Sequence, residues 1–558
     1  MKPAMLPLLL PLAGLLAPFQ ASKGNVAQNI EPADLVLVGK VFTADPIQPW
    51  ADAIAIRGDA VVAIGTTADL KPYVGPLTRV LQEPSGTIAP GFNDAHTHLL
   101  VAAALEKDLD LAKESEAKGV MDRIREWLGA HPADEVFQGV GLSAEMAASD
   151  PNFLWRFEQA TYGRSALLWG AGTTWVLANE AARARLGLAP GVKLPRGVFW
   201  FPERPNLPVE LFAGPLLLET FGSLALPGPE ELEKRLVLAC AGANRLGITS
   251  IQEALPIALI RALRSMHDRG ELTLRVHALT AAEGDPDPVP VVPVDPDDID
   301  PEEHVPPPPS APWITFGTLE LDRQEKLFAT GSLSPSTLIR AGDVRSRRVA
   351  PTSADSEPLR TVESTLQIPE SALGAYVGRN LVVTVVPGAL LAVAESISGK
   401  EALPCPEAEI LPLRSLSDRG ATIAFGSDYD RLSQDPLRSL YAAVSRTSSI
   451  DTTVLARRPP DATGRKRSKR PNREPNREEP KQRVFAEQER ISIVEALRAC
   501  TVNPARAEGT ASMKGTLGPG KVADLVLFET NLVDTEPRQL LQAQLRATIV
   551  GGKIVYGH

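Results

Sequence analysis

The sequence is poor in cysteine, histidine and aromatic residues. Its 558 residues include three cysteines (Cys240, Cys405 and Cys500), seven histidines and only 5% aromatic residues. The cysteines are far apart and form no paired spacing, which indicates neither a disulfide framework nor a cysteine-based zinc site. An excess of positive charge is also lacking: the formal net charge is -10, so we expect no nucleic-acid partner.

Long apolar runs are absent except at the N-terminus. There, Lys2 precedes a run of Leu, Ala, Pro and Gly over residues 4–17, and small residues follow. Residues 1–22 are typical of a secretory signal and are too short for a membrane span. A membrane-proximal anchor and an unstructured apolar tail are the alternatives. The segment predicts secretion or weak membrane association; otherwise we expect a cytoplasmic protein.

The rest of the chain divides by its hydrophobic pattern. Residues 33–88 and 505–558 both show short alternating strands with turns, which predicts one small β-sandwich built from the two chain ends. Residues 89–504 alternate strands with helices, the pattern of a parallel sheet with crossover helices. We therefore predict an α/β fold, a distorted TIM-like β/α barrel, whose strands include residues 87–89 and 166–169.

Two inserts interrupt the predicted barrel. Residues 285–309 are acidic and rich in proline, and residues 457–483 are strongly basic. Neither can bury an apolar face, so both are predicted to be disordered, solvated loops. The basic insert has two further interpretations, an acidic-surface contact and a nuclear signal.

Two histidines form the first candidate site. They end the segment P-G-F-N-D-A-H-T-H, as His96 and His98. On a strand, side chains alternate faces, so His96 and His98 are predicted to point the same way and can hold one divalent metal at the carboxyl end of a barrel strand. Asp94 lies on the same side and could support a ligand.

A carboxylate forms the second candidate site. Asp428 ends the segment Gly426-Ser427-Asp428, directly after a β-rich run. Gly-Ser-Asp alone is common in turns. At the carboxyl end of a late barrel strand, however, Asp428 could bind the metal and accept a proton from its water.

These segments together resemble the amidohydrolase superfamily, and its family-3, long-chain branch in particular. Residues 326–333 (K-L-F-A-T-G-S-L) are similar to the branch segment K-L-F-x-D-G-S-L, and residues 247–254 (G-I-T-S-I-Q-E-A) to G-V-T-S-V-x-D-A. The ending N-P-A … G-T-L-G-P-G-K-V-A-D, within residues 503–524, also fits. The resemblance extends over most of residues 33–558 apart from the inserts.

The resemblance implies a metal-dependent hydrolase with a β/α barrel and a terminal β-sandwich. Such enzymes use metal-activated water on carbon–nitrogen bonds other than peptide bonds, in small amides or cyclic amides. It implies a divalent metal, with zinc favoured, and His96 and His98 as ligands. Asp428 would be both ligand and general base. Lys326 would bridge two metals if carboxylated, or would be an ordinary lysine beside a strand.

The sequence departs from the family where histidines are expected on strands five and six. No histidine lies between His304 and His558, and Ser364 stands where the strand-six histidine belongs. Only the mostly polar residues 334–359 are available for strand five, so either this linker supplies a replacement strand or a coding segment is missing. His277 and His267 are considered as rescue ligands, but a core and a surface histidine, respectively, are favoured.

Three hypotheses follow. The first is an active hydrolase with a reduced metal site. The second is a catalytically impaired protein that keeps the amidohydrolase fold, and the third is an incomplete gene product.

Overall fold

The computed structural model contains three β-sheets and surrounding helices in the part of the chain that it describes. That part comprises residues 30–105, 109–112, 114, 116–132, 136–143, 147, 150–170, 173–189, 191–195, 198–201, 209–214, 216–280, 312–320, 345–349, 359–364, 368, 370, 373–374, 381–391, 407–428, 434–447 and 484–557. The predicted signal, both predicted disordered inserts and Lys326 lie outside these residues, so secretion and membrane association stay predictions. Among the described helices, none has the length and apolar character needed to cross a bilayer.

A seven-stranded sheet combines the two ends of the chain. Its strand order is β21-β20-β19-β4-β1-β2-β3, with β1 parallel to β4 and β4 antiparallel to β19. Alternating apolar residues of β1, β2, β19 and β20 share one core, which explains the shared pattern of the two ends. The strands are β1 (Leu35–Phe42), β2 (Trp50–Arg57), β3 (Ala60–Gly65), β4 (Arg79–Pro90), β19 (Leu525–Phe528), β20 (Leu545–Val550) and β21 (Lys553–Gly557).

A six-stranded sheet is formed by the part of the chain between the strands Phe92–Asp94 and Ile248–Ala254, which both belong to a third sheet. Its order is β10-β11-β9-β8-β7-β6, and it has a core of its own. Residues 166–169, predicted as a barrel strand, belong to β8 of this sheet. The strands are β6 (Leu109–Asp110), β7 (Val136–Leu142), β8 (Ser165–Gly170), β9 (Trp175–Asn179), β10 (Phe199–Phe201) and β11 (Val209–Ala213).

An eight-stranded sheet corresponds to the predicted barrel. Its order is β18-β17-β16-β15-β14-β13-β12-β5. Residues 87–89, also predicted as a barrel strand, lie instead in β4 of the seven-stranded sheet. The strands are β5 (Phe92–Asp94), β12 (Ile248–Ala254), β13 (Arg275–Thr280), β14 (Ile314–Glu320), β15 (Arg345–Val349), β16 (Leu359–Ser364), β17 (Leu381–Val385) and β18 (Thr422–Phe425).

The fifth strand of this sheet differs from the other seven. β15 pairs antiparallel with both β14 and β16, whereas the remaining neighbours pair in parallel. It comes from the polar linker that the sequence left in place of strand five. The linker therefore supplies a replacement strand, and the backbone of β14 and β16 is paired rather than exposed.

The outer strands of the eight-stranded sheet, β5 and β18, approach each other at their carboxyl ends. The Ala95 amide donates to the Phe425 carbonyl at 3.0 Å. Within the described residues no strand pairing closes the barrel between β5 and β18. The mostly parallel eight-stranded sheet, whose outer strands approach each other, is a TIM-like α/β arrangement.

Most helices bury their apolar faces in one large core, whereas the helices Ala117–Ala130 and Phe153–Ala160 pack into the separate core of the six-stranded sheet. The helices Pro229–Asn244 and Pro436–Ser445 each open on a proline, which the first helical turn tolerates. The helices are α1 (Leu99–Ala104), α2 (Ala117–Ala130), α3 (Phe153–Ala160), α4 (Glu180–Arg185), α5 (Leu218–Ala225), α6 (Pro229–Asn244), α7 (Ile257–Asp268), α8 (Leu413–Asp418), α9 (Pro436–Ser445), α10 (Ile493–Ala499), α11 (Val502–Ala507) and α12 (Pro537–Leu540).

Candidate metal centre

His96 and His98 lie in the turn that follows β5. The strand ends at Asp94, so the strand alternation predicted to align the two histidines does not extend to them. Instead the chain bends, and His98 becomes the residue that starts α1. The two rings still converge: their centroids are 5.0 Å apart and nearly perpendicular.

Asp428 completes a three-residue cluster. Its Oδ1 lies 3.2 Å from Nε2 of His96 and 3.2 Å from Nε2 of His98. One donor atom from each residue falls within 4.8 Å of the others, and no second group of this kind occurs in the described residues. Both histidine side chains are buried, at 8% and 4% exposure, whereas the Asp428 side chain is 36% exposed. The cluster is thus accessible from the aspartate side.

Backbone contacts bring the two loops of the cluster together. The amides of Ser427 and Asp428 both donate to the His96 carbonyl at 2.9 Å. Gly426 permits this approach, because a Cβ at that position would lie 2.8 Å from the Cβ of His96. The glycine of the Gly-Ser-Asp segment is therefore required by contact with the histidine loop.

Asp94 supports the same junction. Its Oδ1 accepts hydrogen bonds from the Ser427 amide at 2.9 Å and from the His96 amide at 3.2 Å. The support predicted for Asp94 is therefore delivered through the backbone of His96 rather than its ring. Burial raises the pKa of Asp94 to about 6, although the hydrogen bonds from Ser427 and His96 oppose the shift.

Asp428 has a strained backbone and a strongly perturbed carboxyl group. Its φ of 51° lies in the left-handed region, where aspartate is among the better-tolerated residues after glycine. Burial raises the pKa of Asp428, but hydrogen bonds and charge from His96 and His98 outweigh it and hold the pKa well below its ordinary value. Strained residues of this kind cluster at functional sites.

Glu253 is a buried carboxylate that sequence reasoning did not single out. It lies near the end of β12, is fully buried, and accepts hydrogen bonds from the amides of Leu100 and Val101, each at 2.9 Å. Burial raises its pKa to about 8 against these two bonds, and the charge of Asp94 adds to the shift. The sequence does place this one acidic residue near the end of an otherwise uncharged strand. A buried acidic side chain there requires a hydrogen-bonding partner, which could have marked Glu253 as a candidate.

The other sequence candidates lie elsewhere. His277 is buried in β13 with its Nδ1 2.8 Å from Oγ1 of Thr315, and it is not part of the three-residue cluster. His267 is half-exposed in α7. Ser364 is the last residue of β16, the sixth strand of the sheet. The core and surface assignments favoured for the two histidines agree with these positions.

The donor atoms of the cluster suit a divalent metal ion. Imidazole nitrogen and carboxylate oxygen are common zinc donors, and catalytic zinc sites use three protein ligands and leave a fourth position open. Donors at about 2.0–2.1 Å from one tetrahedral ion lie about 3.3 Å apart. The 3.2 Å separations around Asp428 match that spacing.

The chain resembles known hydrolases over most of its length. A model of the amidohydrolase family matches residues 86–327 and 397–556. N-substituted formamide deformylase of Arthrobacter pascens is 21% identical over 582 residues, 94% of this chain and 98% of that protein. Protein LONG AFTER FAR-RED 3 of Arabidopsis thaliana is 28% identical over 208 residues, 37% of this chain and 30% of that protein.

Among solved structures, an uncharacterized metal-dependent hydrolase from Pyrococcus horikoshii has a similar fold. It superposes with a TM-score of 0.51 at 12% identity and covers 90% of this chain and 99% of its own. The family match is interrupted at residues 328–396, the region with the replacement strand and without the expected histidines. The match nevertheless covers more than half of the sequence. The chain therefore belongs to the amidohydrolase family, and it is a metal-dependent hydrolase of the type that acts on carbon–nitrogen bonds other than peptide bonds.

Proposed function

We propose that this protein is a zinc-dependent hydrolase of small amides or cyclic amides. His96 and His98 are metal ligands, and Asp428 is both ligand and general base. The carrying observation is the convergence of these three donors, with both Nε2 atoms 3.2 Å from the same carboxylate oxygen. They lie beyond the carboxyl ends of β5 and β18, the end at which barrel enzymes place their active sites.

The three residues divide the chemistry by their exposure. A bound zinc ion would lower the pKa of water to about 7 and polarise the substrate carbonyl. The buried histidines hold fixed positions, and the partly exposed Asp428 is the group that water and substrate can reach. Asp428 accepts the proton of the attacking water and transfers it to the leaving amine.

The substrate class is supported by the relatives. The Arthrobacter relative, which aligns over nearly its full length, is named for the deformylation of N-substituted formamides. We therefore propose N-substituted formamides and N-acyl amines as the first substrates to test. Loops after the strands set specificity in such folds, so the panel should include cyclic amides.

The finer architecture also belongs to this proposal. We propose that β18 and β5 close a distorted barrel, supported by the Ala95–Phe425 hydrogen bond. The seven-stranded sheet would fold over itself as a small sandwich. This is supported by backbone hydrogen bonds between Val61, in the edge strand β3, and residues 520 and 521, which lead into β19.

The metal assignment is tested by measuring metal content and hydrolysis together. The wild-type protein is expected to hold zinc, and the H96A and H98A variants to lose it. D428N is the informative aspartate variant, because asparagine also tolerates the left-handed backbone and so removes the charge without added strain. It should abolish hydrolysis of the substrate panel; unchanged rates would remove Asp428 from the mechanism.

His277 provides the matched control. It is buried like the two proposed ligands but lies outside their cluster, so H277N should keep the metal content of the wild type. Lys326 is tested by stoichiometry: two metals per chain, falling to one in K326A, would support a bridging role. A wild-type protein without zinc, manganese or iron would instead support the catalytically impaired alternative. Sequencing the coding locus for a skipped segment tests the incomplete gene product.

A further inference from the structure

Glu253 makes two hydrogen bonds that bear directly on the loop of the candidate metal ligands. Its Oε2 accepts from the Leu100 amide and its Oε1 from the Val101 amide, each at 2.9 Å. These are the second and third residues of α1, the amides that a helix leaves without an internal partner. A single fully buried carboxyl group from the neighbouring strand β12 therefore caps this helix with both of its oxygens.

The helix needs this external cap. α1 has only six residues, and its N-cap residue is His98, whose side chain makes no capping hydrogen bond. Short helices do not hold their shape by their own hydrogen bonds, because nucleation costs more than a few bonds return. The cap on the first turn thus fixes where α1 begins and, with it, the backbone of His98.

A second contact joins the same two segments. The Thr97 amide donates to the Gln252 carbonyl at 3.2 Å, one residue before Glu253. The end of β12 thus holds the chain on both sides of His98, through a backbone bond before it and a carboxylate after it. His96 has separate support, from Asp94 and the residues after β18.

We infer that Glu253 is a positioning residue for metal binding, which orients the His98 imidazole by capping the first turn of α1. This inference rests on the proposed function, because it gives His98 the role of a ligand. The family segment similar to residues 247–254 has aspartate at this position, a residue that also offers two acceptor oxygens. A glutamine offers one acceptor oxygen and turns an amino group toward the other backbone amide.

The test compares E253Q and E253D with a matched control, E489Q. Glu489 is also buried and also caps the first turn of a six-residue helix, α8, where it accepts from the Ser415 amide at 2.9 Å. That helix precedes β18, whereas Asp428 follows the strand. Loss of a helix cap should therefore lower the stability of both glutamine variants. Only E253Q, whose helix follows a proposed metal ligand, should also bind zinc more weakly.

Zinc affinity is measured by competition with a chromogenic chelator, on full-length protein that urea titration shows to be folded. E253Q is expected to raise the zinc Kd about 10- to 100-fold, as the loss of a supporting partner does at other metal sites. E489Q should stay within about twofold of the wild type, and E253D should recover affinity relative to E253Q. If E253Q destabilises the fold too far to measure, E253D is compared with the wild type instead. Faster exchange of the Leu100 and Val101 amides in E253D at wild-type zinc affinity would overturn the inference.

Hydrogen exchange of the Leu100 and Val101 amides separates this inference from the proposed function. Faster exchange in E253Q together with weaker zinc binding supports the positioning role. Wild-type zinc affinity in E253Q, or unchanged exchange of both amides, overturns it. If the wild-type protein binds no zinc, the proposed function and the metal role of Glu253 both fail. Faster exchange of the two amides in E253Q would then still show that Glu253 caps α1.

Discussion

A buried ion pair joins the seven-stranded sheet to the eight-stranded sheet, and its removal is predicted to have a large effect. Arg275 in β13 donates to Asp524, just before β19, with Nε 2.6 Å from Oδ2 and Nη2 3.2 Å from Oδ1. The side chains are 2% and 5% exposed. The Gly551 amide also donates to Asp524 at 2.8 Å, and Arg275 lies 4.7 Å from the centroid of the Trp313 ring. The D524N variant would leave the guanidinium buried opposite a neutral amide.

The expected cost of D524N is about 3–5 kcal/mol, since breaking a buried pair from one side leaves an uncompensated charge. Replacing both residues with apolar ones, in R275M/D524L, should recover part of this loss, because a buried pair and a packed apolar contact are often of similar stability. The remaining loss comes from the Gly551 amide, whose acceptor is removed. The assay is urea unfolding followed by circular dichroism, with zinc content measured on the folded protein. The surface pair Lys118–Asp122 is the control, and D122N should leave the urea midpoint unchanged.

The reasoning fails if D524N costs less than about 1 kcal/mol, the range of an exposed pair. It fails equally if the double variant is as unstable as D524N, because the contact would then depend on geometry that apolar packing does not replace. A fall in zinc affinity in proportion to that of stability would show that the pair also supports the metal site.

Three further predictions concern other parts of the chain. Thr447 and Val484 are bridge partners, so residues 448–483 can be replaced with a four-residue Gly/Ser linker. The shorter loop should stabilise the fold by about 2 kcal/mol, because closing it costs less entropy; a lower urea midpoint would contradict this. Zinc at 100 times its Kd should stabilise the wild type by about 2.7 kcal/mol in thermal unfolding, and chelator should reverse this; an equal shift in H96A would contradict the assigned site. Burial raises the pKa of Glu508, but the charge and hydrogen bond of Lys514, the charge of His277 and the hydrogen bond from Asn93 together outweigh it, so the folded pKa lies below the unfolded value. The resulting stability is present above about pH 4.5 and is lost as pH falls through the folded pKa. Urea midpoints measured from pH 3 to 7 should therefore fall less at acid pH in E508Q than in the wild type. An identical pH profile would refute the lowered pKa of Glu508.

The terminal strands could be predicted because their pattern is local. Alternating apolar residues and the Gly551-Gly552 turn define β20 and β21 without any knowledge of the rest of the chain. Which sheet a strand joins is a long-range property that such a pattern does not contain. Residues 87–89 and 166–169 were therefore predicted correctly as strands but assigned to the wrong sheet.

The candidate site could be predicted in its residues but not in its geometry. His96, His98 and Asp428 stand in recognisable segments, and the structure brings them together. The alignment of the two histidines was predicted from strand alternation, yet it arises from a turn beyond the end of β5. The positive φ of Asp428 depends on contacts between segments more than 300 positions apart, which no local pattern encodes.

The replacement of strand five explains how the fold can persist while the donor set is reduced. An antiparallel β15 satisfies the backbone of its two neighbours, and pairing of this kind depends on backbone groups rather than on a particular side chain. A metal ligand, in contrast, must be a specific side chain at a specific strand end. Substituting the strand therefore preserves the sheet but removes the family's strand-five histidine.

In the proposed site, the three remaining donors would carry the coordination that the family distributes over more residues. With only three protein ligands, displacement of one removes a third of the set. Each residue that holds a ligand in place should therefore have a larger effect on metal affinity. The two histidines are supported by different carboxylates, Asp94 for His96 and Glu253 for the helix that begins at His98. A reduced amidohydrolase site should accordingly be more sensitive to changes in these supports than a site with the full histidine complement. Grafting the expected histidine at Ser364 should reduce the effect of E253Q on the zinc Kd, and an unchanged effect would show that the sixth strand no longer reaches the metal.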